Sequence, residues 1–148
     1  MFNLILMKHE IDLLEISITN KQNELQKLED SYESLLQFKW LVENDFKVFN
    51  EAKRGKEEAI SQLPYITSKN TVAKNYSNGM NDLLDRKANI ISSGIFLKVL
   101  DKINRRLRSL TNEIADCESA INKEQSRLDT QKSEYRKEKE KQDKEKNQ

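Results

Sequence analysis

The chain has 148 residues, and its 26 lysines and arginines balance 25 acidic residues, so that the formal net charge is +1. It contains only 3 glycines and 1 proline, while 34% of its residues are charged. This composition excludes collagen-like, disulfide-rich and Pro/Gly-rich disordered chains, and it lacks the regularly spaced turn residues of β-rich folds. High charge with few helix breakers is typical of long helices, so we predict an all-α chain.

Charge and cysteine content also limit the classes of partner and compartment. The near-neutral total lacks the basic excess that directs proteins to nucleic acid or anionic membranes. Cys117 is the only cysteine, which excludes an internal disulfide and a thiolate metal cluster. The first residues carry no basic start and no small-residue cleavage site, so no cleavable signal peptide is predicted. The most apolar later stretch, residues 90–100, is far shorter than the roughly 20 residues of a membrane span.

Apolar residues of the first half recur at alternating steps of three and four. The positions are Ile11, Leu14, Ile18, Lys21, Leu25, Leu28, Tyr32, Leu35, Lys39, Val42, Phe46, Phe49, Lys53, Lys56, Ile60 and Leu63. A period of about 3.5 residues held over this length predicts a helix that supercoils against a partner helix along this seam. We expect the stems of the four lysines to lie along the seam while their ammonium groups reach water.

The seam predicts a first helix over residues 4–62. Pro64 is expected to end it, because proline disfavours helical geometry in the residue before it. Residues 63–71 are the predicted connector, and residues 72–135 the second helix. Two long helices joined by a short connector predict an antiparallel helical hairpin, a coiled coil.

The second helix carries a similar seam with one interruption. Before the interruption the seam residues are Ala73, Tyr76, Met80 and Leu83; after it they are Phe96, Leu100, Ile103, Leu107, Leu110, Ile114, Cys117, Ile121, Leu128 and Tyr135. Around Ser92, Ser93 and Gly94 the phase slips by about one residue, which indicates a kink or a phase adjustment. No apolar residue follows Tyr135, so residues 136–148 are predicted to be a charged tail, either a solvated helix end or disordered.

No pattern in the chain predicts an active site. His9 and Glu10 begin like a zinc-protease helix, but Leu13 stands where the second histidine must fall. Neither a nucleophile–base pairing nor a Gly-rich phosphate loop is evident. We therefore predict no enzyme activity, no catalytic or metal-binding residue and no cofactor. The basic cluster around Arg105 and Arg106 leaves nucleic-acid binding as a minor alternative.

Several apolar residues of the first helix lie off its seam. They are Leu36, Phe38, Trp40, Leu41 and Val48. We predict that they form a second apolar surface beside the seam. The hairpin does not cover such a surface, so a partner, identical or different, is expected to bind there.

A short motif stands at the start of the second helix. Ala73, the aromatic Tyr76 and then Gly79 follow a turn at residues 68–71. This spacing resembles the Trp-x-Gly (WXG) superfamily of small helical-hairpin proteins, although Ser68-Lys69-Asn70 replaces the Trp and Gly of the turn. The long helix that follows is similar to the second arm of the YwqH-like subgroup, whose members are encoded beside LXG toxins in type VII secretion loci of Gram-positive bacteria.

The resemblance implies a non-enzymatic adaptor or targeting factor that binds the N-terminal LXG helices of a secreted toxin and promotes its export. A second small WXG-like protein or a homodimer is a further partner to expect, without nucleic acid or membrane insertion. The predicted partner-binding residues are Ala73, Tyr76, Gly79, Met80, Leu83, Phe38, Trp40 and Leu41. The superfamily's usual export signal is absent, because no tyrosine has an acidic residue four positions later. We therefore expect a cytoplasmic protein, or one secreted with its partner; a generic coiled coil that self-assembles is the alternative function.

Overall fold

The described part of the chain is built from long helices. The computed structural model describes residues 2–66, 75, 78–80, 82, 86 and 92–147, and all of these except Asn147 are helical. Helix α1 spans Phe2–Ile66, a π-helical turn spans Ser92–Phe96, and helix α2 spans Leu97–Lys146. Within these residues there is no strand, and the two long helices pack against each other. The predicted all-α hairpin is confirmed.

Helix α1 extends past the predicted boundary at residue 62. Pro64 lies inside its last turn, and the helix ends at Ile66. Proline disfavours helical geometry in the residue before it, but its own φ near −65° is helical. The missing N–H of Pro64 costs the helix one hydrogen bond, and only two residues follow it before the helix ends. Of the predicted connector, residues 63–66 therefore belong to α1, and residues 67–71 lie outside the described residues.

Helix α2 continues beyond Tyr135, the predicted end of the second helix, as far as Lys146. Lys and Glu have high helix propensity, and side chains four residues apart support each other on a helix surface. In this segment the Gln142 side-chain amide donates a hydrogen bond to Glu138 Oε1 over 3.3 Å. The sequence left two alternatives for residues 136–146, a solvated helix end or a disordered tail. The structure shows the helix end.

The interruption near Gly94 is a π-helical turn that covers Ser92–Phe96. A π turn takes up one residue more than the α-helical spacing, usually as a single-turn bulge. It therefore changes the phase of the side chains that follow it. The predicted interruption thus coincides with a π turn, and the choice between a kink and a phase adjustment stays a prediction, because residues 87–91 lie outside the described residues.

The chain divides into two compact units. Unit 1 contains residues 1–33 and 108–148, and unit 2 contains residues 34–107. In unit 1 the core is formed by Ile11, Ile18 and Leu128, against which Leu14, Ile121 and Tyr135 pack. Glu15 of α1 pairs with Lys132 of α2 at 3.1 Å, and Lys21 pairs with Glu124. The contacts run backwards along α2 as they advance along α1, so the two helices are antiparallel here.

In unit 2 an aromatic cluster joins α1 to the π turn. The ring centroid of Phe96 lies 5.0 Å from that of Phe46 and 5.9 Å from that of Phe49. Both distances fall in the range of favourable aromatic packing. Ile103 and Leu107 are buried further along α2. These residues confirm that the seam of each helix faces the other.

Burial follows the predicted seam of α1 closely. Every seam position from Ile11 to Lys53 is buried or half-buried. Lys56 is the exception and is exposed, while the side chains of Ile60 and Leu63 lie outside those described. The repeat of three- and four-residue steps thus identifies the face of α1 that packs on α2.

Candidate partner-binding site

Two of the four seam lysines, Lys39 and Lys53, adopt the geometry that their sequence positions predict. The side chain of Lys39 is 29% exposed and that of Lys53 is 24% exposed. Their ammonium groups lie 3.8 Å and 3.6 Å from Glu43 and Glu57, each one helical turn further along α1. The alkyl stems therefore cover the seam, while the charges stay at its edge beside a carboxylate.

A polar layer interrupts the apolar seam of unit 1. Lys21 donates a hydrogen bond to Glu124 Oε1, and the Ser17 hydroxyl lies 3.0 Å from the same oxygen. The hydrogen bond from Lys21 is the largest influence on the carboxyl group and holds the pKa of Glu124 below its usual value of 4.5. Charged pairs inside a helical seam favour one register over others, so this layer aligns α1 with α2.

Cys117 belongs to the same region and is half-buried. Its Sγ lies 3.4 Å from the backbone carbonyl oxygen of Lys21, to which the thiol donates a hydrogen bond. A half-buried thiol held in this way is a seam residue, as its heptad position predicts. His9 is exposed, and the described residues contain no group of three or more side chains that could hold a metal ion.

The basic cluster of α2 is partly neutralised. Arg105 and Arg108 are exposed. The Arg105 Nε lies 3.1 Å from an oxygen of Asp101, one turn earlier on the same helix. An arginine paired with an aspartate has less net charge to offer to a phosphate, so this geometry does not favour the nucleic-acid alternative.

The exposed apolar side chains of unit 2 are the candidate partner-binding surface. Trp40 is 64% exposed, Leu41 is 52% exposed and Phe38 is 50% exposed. Leu36 and Val48 are exposed as well. The seam of α1 next to them is already occupied by α2. These five side chains therefore have no role in holding the hairpin together.

These side chains are spread over a broad arc of the helix surface. Each residue advances about 100° around an α-helix, so Leu36 and Trp40 are neighbours about 40° apart. Phe38 lies about 160° from Trp40, Leu41 lies nearer to Phe38, and Val48 lies about 80° from both Phe38 and Trp40. All five residues lie off the seam, as predicted; that one partner binds them as a single surface stays a prediction. We call the first pair the Trp40 face and the other three residues the Phe38 face.

The predicted site residues of the second helix are only partly described. Gly79 is helical and exposed, and a Cβ built on it would meet no atom within 4 Å. Met80 is helical and half-buried. Ala73, Tyr76 and Leu83 lie outside the described residues, so the predicted face that joins Tyr76 to Leu83 stays a prediction.

Two exposed apolar residues beside the aromatic cluster of unit 2 were not among the predicted site residues. Ile95 is 61% exposed and Leu97 is 50% exposed. Each is adjacent to Phe96, whose ring packs on α1. Since neighbours of a seam residue point about 100° to either side of it, both leave the seam. The sequence could have indicated that both side chains are exposed, because they flank Phe96, the first residue of the regular seam after Gly94.

No helix within the described part of the chain combines the length and the hydropathy needed to cross a membrane. No protein-family model, no curated protein and no solved structure matches this chain.

Proposed function

We propose that this protein is a non-enzymatic helical adaptor that binds the N-terminal LXG helices of a type VII-secreted toxin and promotes the toxin's export. The observation that carries the proposal is the Trp40 face. A tryptophan that is 64% exposed stands on a helix whose own seam is already filled by α2. Large exposed aromatic residues are enriched among the side chains that dominate protein–protein binding.

The surroundings of Trp40 suit a helical partner. Leu36 lies one turn before it and is 46% exposed. Glu43 and Lys47 follow on the same face, and both are exposed. An apolar centre with charged residues of both signs beside it is the usual anatomy of an interface. An amphipathic helix can lay its apolar face on Leu36 and Trp40 and meet the two charges with its polar edge.

The resemblance to WXG-type hairpins supplies the identity of that partner. The residues that carry the resemblance are Ala73, Tyr76 and Gly79, with Met80 one residue further along. In the proposal, Met80 contributes a second contact from the arm that follows the turn. Methionine adapts its shape to irregular apolar surfaces, which suits a contact with a partner's helix.

The test is copurification with the N-terminal LXG segment encoded beside this protein's gene. Trp40→Asp is expected to weaken binding of the LXG segment by at least about tenfold, because it removes the exposed aromatic side chain that the partner would cover and places a charge in the interface. Ile16→Asp is the matched control. Ile16 is 58% exposed in unit 1, so the same chemical change is made away from the Trp40 face.

Circular dichroism of both variants checks that the helices remain intact. If Trp40→Asp and Ile16→Asp bind the LXG segment as well as the unaltered chain does, the Trp40 face is not the toxin-binding surface. If the unaltered chain does not bind the segment at all, the adaptor proposal is wrong.

A further inference from the structure

Helix α1 contains a second series of three- and four-residue steps that its pairing with α2 does not use. The series consists of Phe38, Leu41, Asp45, Val48, Ala52, Gly55 and Ala59. All seven positions are exposed, and all but Asp45 are apolar or glycine. The series includes the Phe38 face and extends it along the helix; we call it the outer seam.

The outer seam has the period of a coiled-coil interface. It keeps the alternation of steps over about 33 Å of helix, without a slip. Isolated apolar residues on a protein surface need no explanation, but an apolar series in heptad register indicates a helix that packs along it. Within the described residues, α1 and α2 already pack on each other through their own seams, so neither of them supplies this contact.

Side-chain size changes along the outer seam. Its N-terminal end carries the large Phe38 and Leu41, and its C-terminal end carries the small Ala52, Gly55 and Ala59. A Cβ added at Gly55 would meet no atom within 4 Å. Ala52, Gly55 and Ala59 are exposed, and no side chain among the described residues is seen to cover them, so large side chains of a partner helix can pack there.

We infer that the partner on the outer seam is a second copy of this chain, packed antiparallel about a two-fold axis close to Val48. In this arrangement each large residue meets a small one of the other copy. Phe38 lies opposite Ala59, and Leu41 lies opposite Gly55. Asp45 lies opposite Ala52, and the two Val48 side chains meet at the axis.

Charge favours the same arrangement. In a parallel pairing Asp45 would face its own copy, and like charges facing each other in a helical seam are destabilising. In the antiparallel pairing Asp45 faces Ala52, past which its carboxylate can reach water. At the edge of the seam, Glu51 then lies opposite Asn44.

This inference goes beyond the proposed adaptor function and does not depend on it. Trp40 lies about 110° around α1 from the middle of the outer seam, so pairing centred on that seam leaves the Trp40 side chain exposed in both copies. The self-association can therefore be tested on the purified chain alone, with no toxin present.

The first test uses single cysteines in a Cys117→Ser background, where the serine hydroxyl can replace the thiol as a hydrogen-bond donor. Val48→Cys is expected to form a disulfide-linked dimer on mild oxidation, because the two positions meet at the axis. Ala59→Cys is the control, since its two copies lie about 30 Å apart in the antiparallel pairing and far beyond disulfide reach. Linking of Ala59→Cys instead would show a parallel pairing and overturn the inference.

The second test measures self-association by sedimentation velocity over a range of concentrations. Gly55→Leu is expected to raise the dissociation constant of the dimer by at least about tenfold, because the added side chain collides with Leu41 of the other copy. Gly55 is exposed and unobstructed, so the helix of a single copy tolerates the change. Combining it with Leu41→Ala exchanges the large and small partners, and this double variant is expected to recover the dimer.

The unaltered chain is expected to shift from monomer to dimer as its concentration rises. A chain that stays monomeric throughout overturns the inference. A dimer that Gly55→Leu does not weaken, or that Val48→Cys does not link, must use another surface, and either result overturns it as well.

Discussion

Glu124 illustrates what a single polar residue does inside an apolar seam. Its Oε1 accepts the hydrogen bond from Lys21 and lies 3.0 Å from the Ser17 hydroxyl oxygen, while Oε2 is buried with no hydrogen-bond partner among the described residues. A charge in this position is tolerated because the Lys21 ammonium offsets it. Moving either helix by one heptad would separate the two charges. The layer therefore selects one alignment of α1 and α2.

We expect the contribution of Glu124 to stability to depend on pH. Its pKa in the folded protein is lowered from 4.5, mainly by the hydrogen bond from Lys21. The stabilisation is therefore fully present above pH 4.5 and is lost as the pH falls through the lower, folded-state pKa. Urea unfolding followed by circular dichroism should show that Glu124→Gln destabilises the protein at pH 7, and that its difference from the unaltered chain shrinks by about pH 3.

Glu118→Gln provides the control for this measurement. Glu118 is exposed on the same helix, so the change removes one acidic charge without touching the polar layer. Its difference from the unaltered chain should stay small at both pH values. An equal pH effect in the two variants would mean that general charge repulsion, and not the pairing with Lys21, explains the pH dependence.

At the scale of the helices, apolar periodicity decides where packing occurs, and helix propensity decides how far a helix continues. Among the residues of α2, Leu110 is buried most deeply, with 1% of its surface exposed. Among residues 136–147 no side chain is fully buried, and Glu138 and Gln142 are half-buried. The backbone of residues 136–146 is nevertheless helical. Helical structure at this end therefore does not depend on an apolar seam.

Removing residues 136–148 is expected to change the free energy of unfolding by no more than about 0.5 kcal/mol, since the segment contains no apolar side chain. Leu110→Ala is the comparison, and we expect it to cost about 2–5 kcal/mol because it leaves a cavity at a fully buried position. Both are measured by chemical unfolding. A truncation as costly as Leu110→Ala would show that the half-buried Glu138 and Gln142 make stabilising contacts.

At the scale of the whole molecule, charge is the property that separates the possible partners. The formal net charge of +1 arises from large and nearly equal numbers of both signs. Neighbouring charges pair along the helices, as Arg105 does with Asp101. A protein whose positive charges are paired with carboxylates releases few counterions when it binds nucleic acid. Electrostatic attraction therefore contributes little to its affinity for nucleic acid.

We therefore expect no complex with duplex DNA at about 150 mM salt and protein concentrations up to about 100 µM. Fluorescence anisotropy of a labelled duplex measures this directly. The double variant Arg105→Ala with Arg108→Ala should behave like the unaltered chain. Binding that is weakened both by salt and by this double variant would support the nucleic-acid alternative instead.

The sequence by itself determined the fold class and the face along which the helices pack. Few glycines and one proline leave long helices uninterrupted, and steps of three and four residues identify one side of each helix as apolar. Ile11, Ile18 and Leu128 are buried for this reason, as their positions predict. The side-chain period is a property of the α-helix itself and can be read without knowing the partner.

Only the tertiary structure decided which residue of α2 stands opposite each residue of α1. The pairing of Lys21 with Glu124 and the ring contacts of Phe96 depend on the alignment of two helices far apart in sequence, which no local pattern specifies. The end of α1 beyond Pro64 and the π turn before Leu97 were likewise known only from the structure, because a proline near a helix end and a slip in phase are each compatible with more than one backbone conformation. The outer seam is exposed because α2 covers only one side of α1, which also could be known only from the structure.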